Sequence, residues 1–165
     1  MPPTPEQILA FLQAKGIQPL RVVDHPETRT SEASAEARGE PLSIGGKAIL
    51  MKAGEQFRLF VLPADRIIAT ALVRKQLRIK SLRFATPEEL LALTGLAPGS
   101  VPPFGRPILP FELHIDRAIA QIDRIAFNAA SLTRSVVLAT QDYLAAAGGN
   151  VFAFAEPPVH RQEFP

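Results

Sequence analysis

A single α+β domain with a mixed, mostly antiparallel sheet and flanking helices is the fold this sequence predicts, on three observations. Strand-like and helix-like segments are interleaved along the chain, which calls for both kinds of layer. "KAILMK" and "FRLFVL" flank Ala53-Gly54-Glu55-Gln56, a hairpin signature with glycine in its connection. Neighbouring strand-like segments near the C-terminus add further pairs, which excludes a simple parallel doubly wound sheet. At 165 residues the chain is long enough to bury a core of one domain, expected over residues 1–156, with a mobile tail at 157–165.

Each element has its own warrant. Thr4-Pro5-Glu6-Gln7 is a capping box with proline at the first helical position, and Gly16 supplies the stop. "LRVVDH" (20–25) is rich in β-formers and predicts a strand. Thr30 or Ser31 then caps an alanine-rich helix that Gly39 ends. After the hairpin, Asp65 is expected to cap a helix on which Ile68, Ala71 and Leu72 recur at helical spacing. "SLRFA" reads as a short strand, and Thr86-Pro87-Glu88-Glu89 repeats the capping box for a helix closed by Gly95. Prolines and glycines keep "LAPGSVPPFGRP" (96–107) irregular. "ILPFELHI", "RIAFNA" and "SVVLA" are strand-like. Thr140 is expected to cap a last helix, followed by Gly148-Gly149 and a strand "VFAFA".

Composition excludes several classes of chemistry. The absence of cysteine removes disulfides, thiolate metal sites and a cysteine nucleophile. His25, His114 and His160 are scattered, none with a second ligand at metal spacing, so no metal is expected. "MPPTPEQ" has neither a basic start nor an apolar signal core, and no apolar run approaches a membrane span; the expected location is the cytoplasm. Gly45-Gly46-Lys47 is not a phosphate loop, because Pro41 and Ala48 stand where the pattern needs glycine and Ser or Thr. Ser100 lacks the glycine pattern of a nucleophile elbow.

Lys47 sits in an apolar strand directly after two glycines. Such a lysine either snorkels to water or faces a ligand, and the glycines permit close approach of a bound group. Arg74, Lys75, Arg78, Lys80 and Arg83 lie within "RKQLRIKSLR" with no acid among them, which reads either as a solvated face or as a phosphate-binding surface.

In order along the chain, the histidine-bearing strand, "GGKAILMKAGEQFRLFVLPADRII", "LRFATPEELLALTGLAPGSVPPFG" and "FNAASLTRSVVLATQDYL" resemble the YbaK/ProX family. These are free-standing relatives of the editing (insertion) domain of bacterial prolyl-tRNA synthetase, and the likeness runs from about His25 to Glu156. The resemblance implies a cofactor-free deacylase that hydrolyses the ester of mischarged aminoacyl-tRNA carrying a small amino acid (alanine, serine, threonine or cysteine-like). It gives Lys47 the role of functional lysine, acting on the CCA end. It implies a substrate pocket formed by His25, Gly46, Pro98, Gly99, Ser100, Val101, Gly105, Asn128, Ala129 and Ala130. The basic cluster, for its part, is expected to take the tRNA backbone on Arg74, Lys75 and Arg78. An aminoacyl-tRNA synthetase is a further implied partner. Ala129 to Arg134 lacks the glycine and histidine that accompany alanine specificity in the family. A binding module without hydrolysis and a hydrolase of another small ester remain as alternatives.

Overall fold

A computed structural model describes residues 2–158; residues 159–165, with His160 and nearly all of the expected tail, lie outside the described residues. The order is α1 (Pro5–Ala14), β1 (Arg21–Asp24), α2 (Ser31–Arg38), a 3-10 turn (Leu42–Ile44), β2 (Gly46–Ala53), β3 (Gln56–Pro63), β4 (Ile67–Ile68), α3 (Thr70–Leu77) and β5 (Leu82–Phe84). Then come α4 (Pro87–Thr94), β6 (Leu113–Asp116), a second 3-10 turn (Arg117–Gln121), β7 (Arg124–Asn128), β8 (Arg134–Ala139), α5 (Thr140–Ala147), β9 (Asn150–Phe152) and β10 (Ala155–Glu156).

Three sheets result. The largest runs β5-β2-β3-β6-β9, antiparallel across the β2–β3 hairpin and β2–β5 but parallel across β3–β6 and β6–β9. A second sheet, β1-β8-β7, is wholly antiparallel, and β4 pairs with β10. The alternation of side chains along β3 divides the core. Leu59 and Val61 join the larger cluster with α1, α5, β7 and β8, while Phe60 and Leu62 join Met51, Val73, Phe152 and Phe154 on the opposite face.

The two larger sheets touch at one point, a parallel bridge between Gly45 and Ala126. Gly46 is required there, because a Cβ on it would lie 2.5 Å from Ile125 Cδ1. β2 therefore has two neighbours along the edge opposite β3: β5 at Met51–Ala53, and β7 at Gly45. Between them the edge has no strand partner. The irregular 96–107 loop lies against this gap, anchored by Phe104 packed edge-on to Phe11, Phe127 and Tyr143.

Both capping boxes form as expected. Four details differ. Asp65 caps nothing: it lies in the turn after β3, Ile68 is in β4, and α3 starts at Thr70 without a side-chain cap. Its buried residue is Val73, and Leu72 points to solvent. "ILPFELHI" is a strand only from Leu113, since Pro110 lacks the N–H a ladder needs. Thr140 is the first helical residue of α5 rather than its cap. "VFAFA" splits because Asp116 Oδ1 accepts the Phe154 and Ala155 N–H groups at 2.7 and 2.8 Å, turning the chain out of the large sheet.

Candidate functional site

The gap beside β2 opens into a cavity of about 250 Å³. Gly45 to Ile49 form its floor, the inner face of α2 one wall, and Gly99, Val101, Phe127 and Asn128 the other. Lys47 stands on that floor, half-buried. Burial lowers its pKa from the ordinary 10.5, against the opposing pull of the Glu32 and Asp65 carboxylates. Neither acid is close enough to form an ion pair with it. The amine is thus a partly desolvated cation with no fixed partner among the described residues.

A second cation lies deeper. Arg38, on α2, is only 5% exposed, and burial pushes its pKa down to about 10 despite the carboxylate of Glu40. It is held by neutral groups: Nε donates to Ser135 Oγ and Nη2 to Asn128 Oδ1, both at 3.1 Å. Asn128 is oriented from its other end, with Nδ2 donating to Gly99 C=O at 2.8 Å and to Ser34 Oγ at 3.3 Å. Ser34 Oγ is in turn hydrogen-bonded to Thr28 Oγ1 at 2.8 Å. One hydrogen-bonded chain thereby ties α2, β7, β8 and the irregular loop around the cavity.

His25 closes this chain from behind. Its Nδ1–H donates to Pro26 C=O and its Nε2 lies 2.8 Å from Ser135 Oγ. Ser135 Oγ also donates to Asn128 Oδ1 at 3.0 Å, so the ring is linked through it to the Arg38–Asn128 pair. A serine and a histidine are hydrogen-bonded, but this is not a nucleophile with its base. Ser135 is wholly buried, lies outside the cavity wall, and receives the Arg38 Nε–H. Among the described residues no group of three His, Asp or Glu side chains is placed to hold a metal ion, and no helix is long and apolar enough to cross a membrane.

Of the residues singled out from sequence, Lys47, Gly46, Gly99, Val101 and Asn128 come together on the cavity wall. Pro98 lines an adjoining groove instead. Ser100 is turned inward, its hydroxyl donating to Ala97 C=O at 2.7 Å. Gly105 packs where a Cβ would meet Phe111 C=O at 2.6 Å, away from the cavity. Ala129 is in the core and Ala130, at φ 58°, turns the chain after β7; neither lines the cavity. Arg74, Lys75 and Arg78 lie on α3 and its C-cap, packed on the other face of the large sheet, and make no ion pair among the described residues.

The sequence reading missed Arg38 and its companions Thr30, Ser31 and Ser34. A signal was present. α2 has no large apolar side chain, yet a packed helix must bury one face, and Ser31, Ser34, Ala35 and Arg38 share one at i, i+3, i+4 and i+7. A face of that composition can only be buried against polar groups.

Comparison with known proteins adds an independent line. The aminoacyl-tRNA editing domain family matches residues 25–146. The chain is 35% identical over 147 residues to the multifunctional Ser/Thr-tRNA deacylase ProXp-y of Escherichia coli K12, covering 86% of each. It is 31% identical over 118 residues to the proline–tRNA ligase of Shouchella clausii, matching 72% of this chain but 20% of the ligase. A crystal structure described as a candidate trans-editing enzyme for prolyl-tRNA synthetase superposes with a TM-score of 0.79 at 24% identity, over 94% of this chain and 99% of the other, which establishes the common fold.

Proposed function

Because the chain belongs to the aminoacyl-tRNA editing domain family, we propose that it is a trans-acting deacylase that removes a small hydroxylated amino acid, serine or threonine, from mischarged tRNA. The observation that carries this reading is the polar cavity that joins the half-buried Lys47 amine to the Arg38–Asn128–Ser34 chain. A volume of about 250 Å³ suits a small aminoacyl group. A lining of hydroxyl, amide and guanidinium groups favours a side chain that can hydrogen-bond over an alkyl one. The name of the Escherichia coli relative points the same way.

The chemistry asks little of protein side chains. Water adds to the ester carbonyl, the C–O bond to the terminal ribose breaks, and the ribose oxygen leaves as a hydroxyl after gaining a proton. The products are the free amino acid and tRNA. The developing oxyanion needs preorganised donors. Ser100 N–H is used within its own turn, bonding Ala97 C=O at 3.2 Å, whereas the Gly99 and Val101 N–H groups take no backbone partner among the described residues. Arg38 and Asn128 hold the Gly99 carbonyl, and with it the loop, in place. Lys47 serves as a point charge for a phosphate of the CCA end, fixing the ester in register.

The cations of α3 and its C-cap, Arg74, Lys75 and Arg78, take the backbone of the same tRNA, and the synthetase that makes the error is the natural second partner. Mischarged tRNA resides in the cytoplasm, which is therefore the proposed location. The direct test is a panel of alanyl-, seryl-, threonyl-, cysteinyl- and leucyl-tRNAs incubated with the purified protein. Seryl and threonyl esters should be cleaved fastest. A preference for leucyl ester, or no hydrolysis of any, would overturn the reading.

A further inference from the structure

The cavity continues past Gly99. Ala48, Ile49, Gly99 and Val101 are shared with an adjoining groove of about 290 Å³ whose other walls include Leu50, Phe84, Ala85, Leu90 and Pro98. No residue lining it is charged. Its single polar side chain, Thr86, is already engaged as the cap of α4. Phe84, 56% exposed, stands at its rim.

The groove lies where β2 parts from β5. In an antiparallel ladder the N–H and C=O of alternate residues point to the same edge. Ala85 N–H donates to Leu50 C=O at 2.9 Å, so the even-numbered residues of β2 face this side. Beyond that bond, Leu50 N–H and Ala48 C=O have no partner from β5 or from the loops among the described residues. The strand edge thus offers a donor next to an acceptor at the base of an otherwise apolar slot.

We propose that this groove binds the terminal adenine of the tRNA while the aminoacyl group occupies the polar cavity. The inference rests on the deacylase reading and adds a nucleobase subsite to it. Three features support this occupant. The ester joins the amino acid directly to the terminal ribose, so the base must lie within one sugar of the cavity, as the groove does. A base has two apolar faces, and an exposed ring such as Phe84 stacks on one of them. Adenine presents an exocyclic N–H beside a ring nitrogen, which matches Ala48 C=O and Leu50 N–H.

The test uses uncharged acceptor-stem RNA, so that it does not depend on hydrolysis. Wild type and Phe84→Ala are titrated by fluorescence anisotropy with RNA ending in adenosine and with the same RNA lacking the terminal base. Removing either the base or the ring should weaken Kd by roughly 5- to 150-fold. The two losses should not add. Purine in place of adenine, which lacks the exocyclic amine, should weaken binding by roughly 2- to 12-fold. Additive losses would overturn the subsite, as would no binding of uncharged RNA by wild type, or Phe84→Ala binding both RNAs as wild type does. If Phe84→Ala instead alters the order of preference among aminoacyl esters, the groove holds an amino-acid side chain and the proposal is wrong. Wild type that binds this RNA as expected yet hydrolyses no ester overturns the deacylase reading and leaves the subsite standing.

Discussion

Lys47 and Arg38 are both cations moved partly out of water, and they answer to different tests. Lys47 has no fixed partner among the described residues, so Lys47→Ala should leave thermal unfolding unchanged and lower kcat/KM by roughly 10²-fold, the scale of lost positioning. Lys47→Arg should restore little, since a guanidinium is planar and differs in reach. Burial lowers the lysine pKa, so the cation is lost at lower pH than for a free lysine. Enzyme-dependent turnover should therefore fall on the alkaline side before pH 10.5, and that limb should be absent from whatever activity Lys47→Arg retains. Arg38 is different. Arg38→Met removes a costly buried charge but strips a donor from each of Asn128 and Ser135. Those effects oppose one another, so unfolding free energy should move by no more than about 2 kcal/mol. Turnover should fall by roughly 10²-fold as the Gly99 loop loses its anchor. Calorimetry and single-turnover kinetics on the one variant separate the two effects. Lys47 was visible in the sequence because a charge in an apolar strand breaks a pattern. Arg38 was not, because an arginine at a helix end usually lies in water, and its burial depends on partners 90 and 97 residues away.

Among the elements, α4 and α3 bear on function from opposite faces of the large sheet. The Thr86 box also receives Arg83, whose guanidinium meets Glu89 through two bonds of 2.7 and 2.9 Å. Thr86→Ala should cost about 1 kcal/mol, seen as a fall in Tm of about 2–4 °C. On α3, exchanging Arg74, Lys75 and Arg78 for glutamine should weaken tRNA binding and flatten its dependence on salt, since fewer counterions are released. An unchanged slope would mean that α3 is a solvated face. Elements with local signals were legible: both capping boxes, the Gly54 turn and the Gly39 and Gly95 stops occur as read. Elements set by distant partners were not. β4 has two residues and exists only because β10 pairs with it, and β6 begins late because a proline precedes it. Gly46 lines the cavity, and its bare backbone also admits Ile125 of another sheet, a contact that no local pattern announces.

At the scale of the whole molecule, the second core contains a buried titratable group. His114 stacks on Phe60 at 5.1 Å, and burial together with the neighbouring Arg58 guanidinium pushes its pKa down to about 4. An unfolded histidine titrates near 6.5, so between about pH 6.5 and 4 the unfolded chain takes up the proton first. Stability from this group is full above pH 6.5 and falls through that window, by about 2 kcal/mol at pH 5. Urea midpoints at pH 7 and 5, compared with those of His114→Gln, should show that loss in wild type alone. The β1–β8 pairing has a consequence in time. His25 and Ser135 are 110 residues apart, so at translation speeds the first strand emerges roughly 5–20 s before β8, with which it pairs, exists. Lys47 and Arg38 leave the ribosome early, and Asn128, which completes their wall, leaves late. A nascent chain stopped before Arg134 therefore carries every residue that lines the cavity, but lacks Ser135 to hold Arg38 and the strand that joins β1 to β7. Editing capacity begins only once β8 has joined β1 to β7.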